Sequence, residues 1–205
     1  IAGSNLALSV SVTAFATIAA PLMTPIWMKT LAGQFVPIDF MAMMWGVVKI
    51  TLLPVAAGLV FNKFFQGKAK WLDRSLPVLS MGGIVVIIVV ITSAGRDNLL
   101  TVGLVLLAAE IIHNITGYSL GYWGSRLAGL DEKSCRTVAI EVGLQNGGMG
   151  SALAINVLKS PAAALAPAIF GPWMNISGSI LANWWHSRPA DEVEARRRAK
   201  KTAKA

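Results

Sequence analysis

Within the apolar stretch VAIEVGLQNGGMGSALAI, Val138 to Ile155, the carboxylate Glu141 stands one turn before the adjacent amides Gln145 and Asn146. Four glycines accompany them: Gly143, Gly147, Gly148 and Gly150. A carboxylate in an apolar segment must be protonated, paired with a cation or hydrated, because an isolated buried charge is too costly. Each glycine weakens a helix by about 0.8–1 kcal/mol relative to Ala. One reading makes the glycines a packing device, since Gly143–Gly147 and Gly147–Ser151 have the small-x-x-x-small spacing. The other breaks the helix and exposes backbone carbonyls beside Glu141. That arrangement is a cage of hard oxygens for a cation. The start of the second half, near Gly147–Ser151, then offers N–H groups to an anion. The clustering of carboxylate, amides and glycines favours the break.

Other polar groups sit among apolar residues at helical spacing. Asn5, Ser9, Thr13 and Thr17 recur every four residues, so they share one helix face. Taken alone, that stripe favours a helix contact in which the hydroxyls bond back to carbonyls four residues earlier. Its sharper reading is a set of neutral oxygens for a dehydrated cation. Glu110 and His113, one turn apart, suit either a proton relay or a local pair, and the pair is the simpler reading. Gly117, Gly121 and Ser125 form a small face for close helix approach, and Gly171, Asn175, Ser179 and Asn183 form another stripe. Lys49 stands mid-segment, either neutralising an acid or snorkelling outward. Cys135, the single cysteine, excludes an intrachain disulfide and lacks metal-ligand spacing. The sequence contains no nucleophile–base pair, metal cluster or phosphate loop that would mark an enzyme.

These residues must be positioned by membrane helices. The 205-residue chain is 55% hydrophobic and 14% charged, against about 25% charged in soluble domains. Six stretches reach the roughly 20 apolar residues that cross a bilayer: Ser4–Met28, Asp39–Phe61, Leu76–Ala94, Asn98–Ser125, Ser134–Leu158 and Pro161–His186. Pro21 and Pro25 are expected to kink or end the first. The runs are too long, and lack the alternation, for a strand barrel. The fold class is therefore an all-α polytopic membrane protein with six transmembrane helices, one broken at its middle.

Fourteen of the 18 Lys and Arg fall on one side of that topology, in the connections holding Lys63, Lys68, Lys70, Arg74, Arg126, Lys133 and Arg136 and in the tail from Arg188 to Lys204. Only Lys29, Arg96 and Lys159 fall on the other, which puts both ends of the chain in the cytoplasm. Trp71, Trp123, Trp184 and Trp185 are expected at the inner interface as anchors. The net charge of +8 thus reflects a solvated tail beside lipid, not a nucleic-acid surface. The opening IAGSNLALS, without Met or signal peptide, suggests part of a longer protein.

IEVGLQNGG, together with NLALSVSVT and NISGS, resembles the bile acid:sodium symporter family, and the likeness extends to LLPVAAGL at Leu52–Leu59 and HNITGY at His113–Tyr118. The resemblance implies a secondary transporter fold of ten helices in two inverted repeats, here helices five to ten, with helices one to four missing. Residues 1–31 would be a core-domain helix and 38–94 two panel-domain helices. Residues 97–187 would be three core-domain helices, including the broken helix 134–158, and 188–205 a basic cytoplasmic tail. It implies sodium as the coupling ion, no organic cofactor, and a small organic anion as substrate. The bacterial plasma membrane is the expected location. By the same resemblance Glu141 serves two sodium sites; Ser9 and Thr13 complete one, and Val142, Leu144 and Gln145 the other. Asn146, Asn175 and His113 would contact substrate. Met174 departs from a His that precedes the equivalent Asn in the family, which argues against assuming a bile acid. The 205 residues alone are expected not to transport. Proton coupling at Glu141, or a non-transporting membrane subunit, are the alternatives.

Overall fold

The computed structural model describes residues 3–65 and 70–202. Lys68, and the tail beyond Thr202 with Lys204, lie outside the described residues. The described residues are helical, without strands, in the order α1 (Leu6–Ala32), α2 (Phe40–Val47), a π-helical turn (Val48–Leu52), α3 (Leu53–Phe65), α4 (Lys70–Ala94), α5 (Arg96–Leu127), α6 (Glu132–Gly143), α7 (Gly147–Asn156), α8 (Pro161–His186) and α9 (Ala190–Thr202). Side chains start several of them. Asp39 caps α2 through Ala42 N, Asp131 caps α6 through Ser134 N, and Asn146 caps α7 through Met149 N, at 2.9–3.0 Å. Gly129, with φ +86°, makes the left-handed turn between α5 and α6 that a side chain would resist.

Among the described residues, four helices are long and apolar enough to cross a membrane: Leu6–Ala32, Phe40–Phe64, Arg74–Ala94 and Arg96–Leu127. Their apolar side chains face outward. On α4, Val78, Met81, Val85 and Val89 are all more than half exposed. Outward faces of this kind suit lipid, and the chain is an integral membrane protein. The broken pair α6–α7 is too short on each side of the break to span as one helix, and α8 carries polar residues along its 26 positions. Pro21 and Pro25 do not end α1, which runs on to Ala32 with both prolines buried. Prolines are tolerated in membrane helices when neighbouring groups satisfy the freed carbonyls.

The chain forms two compact units. The first comprises Ile1–Phe15, Val105–Gln145 and Ile169–Ala205. Its centre is α6, whose Cys135, Arg136, Thr137 and Ala139 are buried. The small face of α5 meets it: a Cβ on Gly121 would stand 2.9 Å from the Ala139 Cα, so only glycine permits this approach. Trp185, expected as an interfacial anchor, is instead buried against Ala139. Arg136 lies over its ring, which ties that ring inward. Trp71, Trp123 and Trp184 remain exposed.

A charge cluster closes this end of the first unit. Glu132 takes Arg136 Nε at 2.9 Å, the Tyr122 hydroxyl at 2.8 Å, and the Arg126 guanidinium. Arg136 also donates to the carbonyls of Trp185 (3.2 Å) and Arg188 (2.9 Å), satisfying acceptors at the end of α8. Helix α9 is held here by Glu194 to Arg126 (3.2 Å) and Asp191 to Lys133 (3.1 Å). The second unit comprises Ala16–Leu104 and Asn146–Ala168. In it α2, with Met43 and Val47 fully buried, packs on α7. A Cβ on Gly46 would meet Val157 at 2.7 Å. Lys49 is exposed in the π-turn, a feature common at functional sites.

Candidate functional site

Three residues are brought together by matching four-residue steps on α1 and α6 of the first unit. Asn5 donates its backbone N–H to Thr137 Oγ1 at 2.8 Å. One turn on, the Ser9 hydroxyl donates to Glu141 Oε1, and the Thr13 hydroxyl to Glu141 Oε2 at 2.6 Å. Both carboxylate oxygens therefore face the hydroxyl stripe. An ionised carboxylate only accepts, so Ser9 donates to it, while the single Thr13 proton is shared between Glu141 Oε2 and the Ser9 carbonyl at 2.9 Å. Ser9, Thr13 and Glu141 thus offer hard oxygens and one negative charge, the donor set a small hard cation takes. Thr17, the fourth residue of the stripe, belongs to the second unit.

The break lies at Leu144–Asn146, between Gly143 and Gly147. Gly147, Gly148 and Gly150 are therefore in α7 and not in the opened stretch. Leu144 is extended (φ −92°, ψ 105°), and this releases the last carbonyls of α6 from helical bonding. The Val142 carbonyl accepts Gln145 Nε2 at 3.3 Å, and the Gly143 carbonyl accepts Asn114 Nδ2 at 2.9 Å. Gln145 also meets His113, with Nε2 of the amide 2.9 Å from Nε2 of the ring. The two Gln145 contacts are mutually consistent when its amide nitrogen donates to both Val142 O and a neutral His113. This leaves Gln145 Oε1 as an acceptor. His113 therefore bonds to Gln145 and not to Glu110, the partner a relay would need, and it packs edge-on against Phe170.

Two of the expected substrate contacts, Asn175 and His113, belong to the first unit. Asn175 back-bonds to Gly171 O at 2.8 Å and lines a cavity of about 480 Å³ with Ser4, Leu144, Ser179 and Asn183. Asn146 falls in the second unit and commits its Oδ1 to the first turn of α7. Met174 accepts the Gln145 backbone N–H on its sulfur at 3.3 Å, so it touches the break directly. Sequence reasoning missed Thr137, Asn114, Tyr118 and Ser177. Two of them carried a signal: Thr137 stands four residues before Glu141, and Asn114 stands on the face of Gly117 and Gly121.

The sequence model described as Sodium Bile acid symporter family matches residues 1–102. The chain is 38% identical over 188 residues to the "Uncharacterized sodium-dependent transporter YocS" of Bacillus subtilis (strain 168), covering 92% of this chain and 58% of the relative. It is 32% identical to the "Probable sodium/metabolite cotransporter BASS1, chloroplastic" of Arabidopsis thaliana, over 95% of this chain and 48% of the relative. It is 31% identical to the "Probable sodium/metabolite cotransporter BASS2, chloroplastic" of Oryza sativa subsp. japonica, over 95% and 47%. The chain thus spans about half the length of the curated relatives it matches.

Proposed function

This chain belongs to the sodium bile acid symporter family, and on that footing we propose that it forms the sodium-binding part of a secondary transporter of small organic anions. Transport is the activity of the whole protein, of which these residues supply six membrane helices, the counterpart of helices five to ten. The observation that carries the reading is the Glu141 carboxylate facing the hydroxyls of Ser9 and Thr13 beside a helix break. Sodium held by these oxygens neutralises the carboxylate. An empty carrier then holds a bare charge in a membrane and a loaded one does not, so the two differ in the cost of moving. That difference couples the ion to the substrate. A second ion is held by Glu141 with the Val142 and Leu144 backbone and Gln145 Oε1.

The substrate anion is met by Asn146 at the start of α7, where N–H groups favour negative charge, by Asn175, and by His113. Residues 1–31 and 97–187 act as a core that moves against the panel helices of 38–94. Both ends of the chain lie on the cytoplasmic side of a bacterial plasma membrane; the basic residues in the connections and tail support the orientation. The test is reconstitution of the whole protein in liposomes with radiolabelled organic anions, among them a bile acid, a monocarboxylate and a keto acid. An inward sodium gradient should drive accumulation of at least one, and an equal potassium gradient should not. Uptake that follows pH and ignores sodium would overturn the proposal.

A further inference from the structure

Asn114 is 1% exposed on α5, in the middle of a membrane-spanning helix, and every polar atom of its carboxamide that reaches another element has a defined partner. Its Nδ2 donates to the Gly143 carbonyl at 2.9 Å, and its Oδ1 accepts the Ser177 hydroxyl of α8 at 2.6 Å. Ser177 has one proton, so with that proton on Asn114 its oxygen accepts the Tyr118 hydroxyl at 3.2 Å. The Tyr118 ring fills the space beside Gly143 that a Cβ would need. Two elements are tied together by this chain: the end of α6 and the turn of α8 from Met174 to Ser177. Met174 makes a second tie, through its sulfur to Gln145 N.

A carbonyl released at a helix end inside a membrane can turn to any hydrogen-bond donor or cation within reach. Holding the Gly143 carbonyl toward α5 removes that freedom. Because Leu144 is extended, the Gly143 and Leu144 carbonyls turn to opposite sides of the chain. We infer that Asn114 is a positioning residue: by binding the Gly143 carbonyl and Ser177 together, it fixes the backbone at the break in the arrangement that accepts sodium. The inference rests on the sodium-binding reading of Glu141 and its neighbours. Asn114 itself does not touch the ion. Its role is to remove alternatives, which lowers the ordering cost of binding.

The test uses the purified whole protein in detergent, heated at a series of sodium chloride concentrations with choline chloride holding ionic strength constant. Asn114→Asp keeps size and the acceptor for Ser177 but removes the N–H that holds Gly143. It should raise the sodium concentration giving half-maximal stabilisation about tenfold, the loss of one buried hydrogen bond. Ser177→Ala, which loosens Asn114 from the far side, should raise it by about two- to threefold. In choline alone the unfolding temperature of Ser177→Ala should fall by about 2–4 °C, the loss of one buried hydrogen bond. Half-points unchanged in both variants, or a lowered choline baseline with no shift in half-point, would overturn the inference. So would a half-point unmoved by Ser177→Ala where Asn114→Asp does not fold. Absence of any sodium effect in the wild type would instead strike the proposed function.

Discussion

Gly143→Ala sets two magnitudes of opposite sign against each other. Alanine is the better helix former by about 0.8–1 kcal/mol, so a glycine kept merely as a weak spot should be improved by the change. The structure predicts the reverse. A Cβ at Gly143 would overlap the Tyr118 ring, and the ring is held by its hydroxyl to Ser177. Forcing a methyl into such a site costs about 1–3 kcal/mol. Displacing the Gly143 carbonyl from Asn114 costs about 1 kcal/mol more. The balance is a loss of about 1–3 kcal/mol. Gly124→Ala, on α5, is the control, because a Cβ there meets nothing within 4 Å. It should gain most of the helix-propensity term. Thermal unfolding of both variants in detergent measures the comparison, and adding Tyr118→Ala to Gly143→Ala should recover part of the loss by opening space. A Gly143→Ala protein as stable as Gly124→Ala would refute the close approach of Tyr118 to the break.

Other outcomes follow from single contacts. Ser9→Ala and Thr13→Ala each remove one hydroxyl from Glu141, and each should raise the sodium requirement for uptake about three- to tenfold, with the double variant worse than either. Sodium titration of uptake would detect this. Asp131, in the connection before α6, has its carboxyl held below the ordinary value of 3.8 by the hydrogen bond from Ser134. A lowered carboxyl contributes stability that is present above its unfolded value and is lost as pH falls through the folded one. Asp131→Ala should therefore cost about 0.5–1 kcal/mol at neutral pH, reduced by solvent exposure, and progressively less as pH falls below the ordinary carboxyl value. Unfolding followed across pH 2–7 checks the sign.

Much of the fold was readable because membrane helices are long and uniform in composition. Pro161–His186 was recovered residue for residue as α8. The interruption after Glu141 was readable from the type and clustering of residues, since a carboxylate and amides have no place on a lipid-facing helix. Its position was close as well: the second half was expected to start near Gly147–Ser151, and α7 starts at Gly147, after the opened residues Leu144, Gln145 and Asn146. Asn146 explains this, because its side chain caps α7 and lets the glycines stay helical. The pairing of Ser9 and Thr13 with Glu141 joins residues about 130 positions apart, and no local pattern specifies such a contact. It entered through the family resemblance alone. That the prolines do not end α1 has a related reason: their effect depends on what surrounds the freed carbonyls, which is a tertiary matter.

Equilibrium binding of radioactive sodium to the purified whole protein, wild type against Glu141→Gln, tests the central claim most directly. The glutamine keeps the size of the side chain and removes its charge. A unit charge pair about 4 Å apart near a protein surface is worth roughly 4 kcal/mol, so affinity should fall about a thousandfold. The account predicts saturable sodium binding in the wild type and none detectable in Glu141→Gln. Equal binding by the two proteins would contradict it.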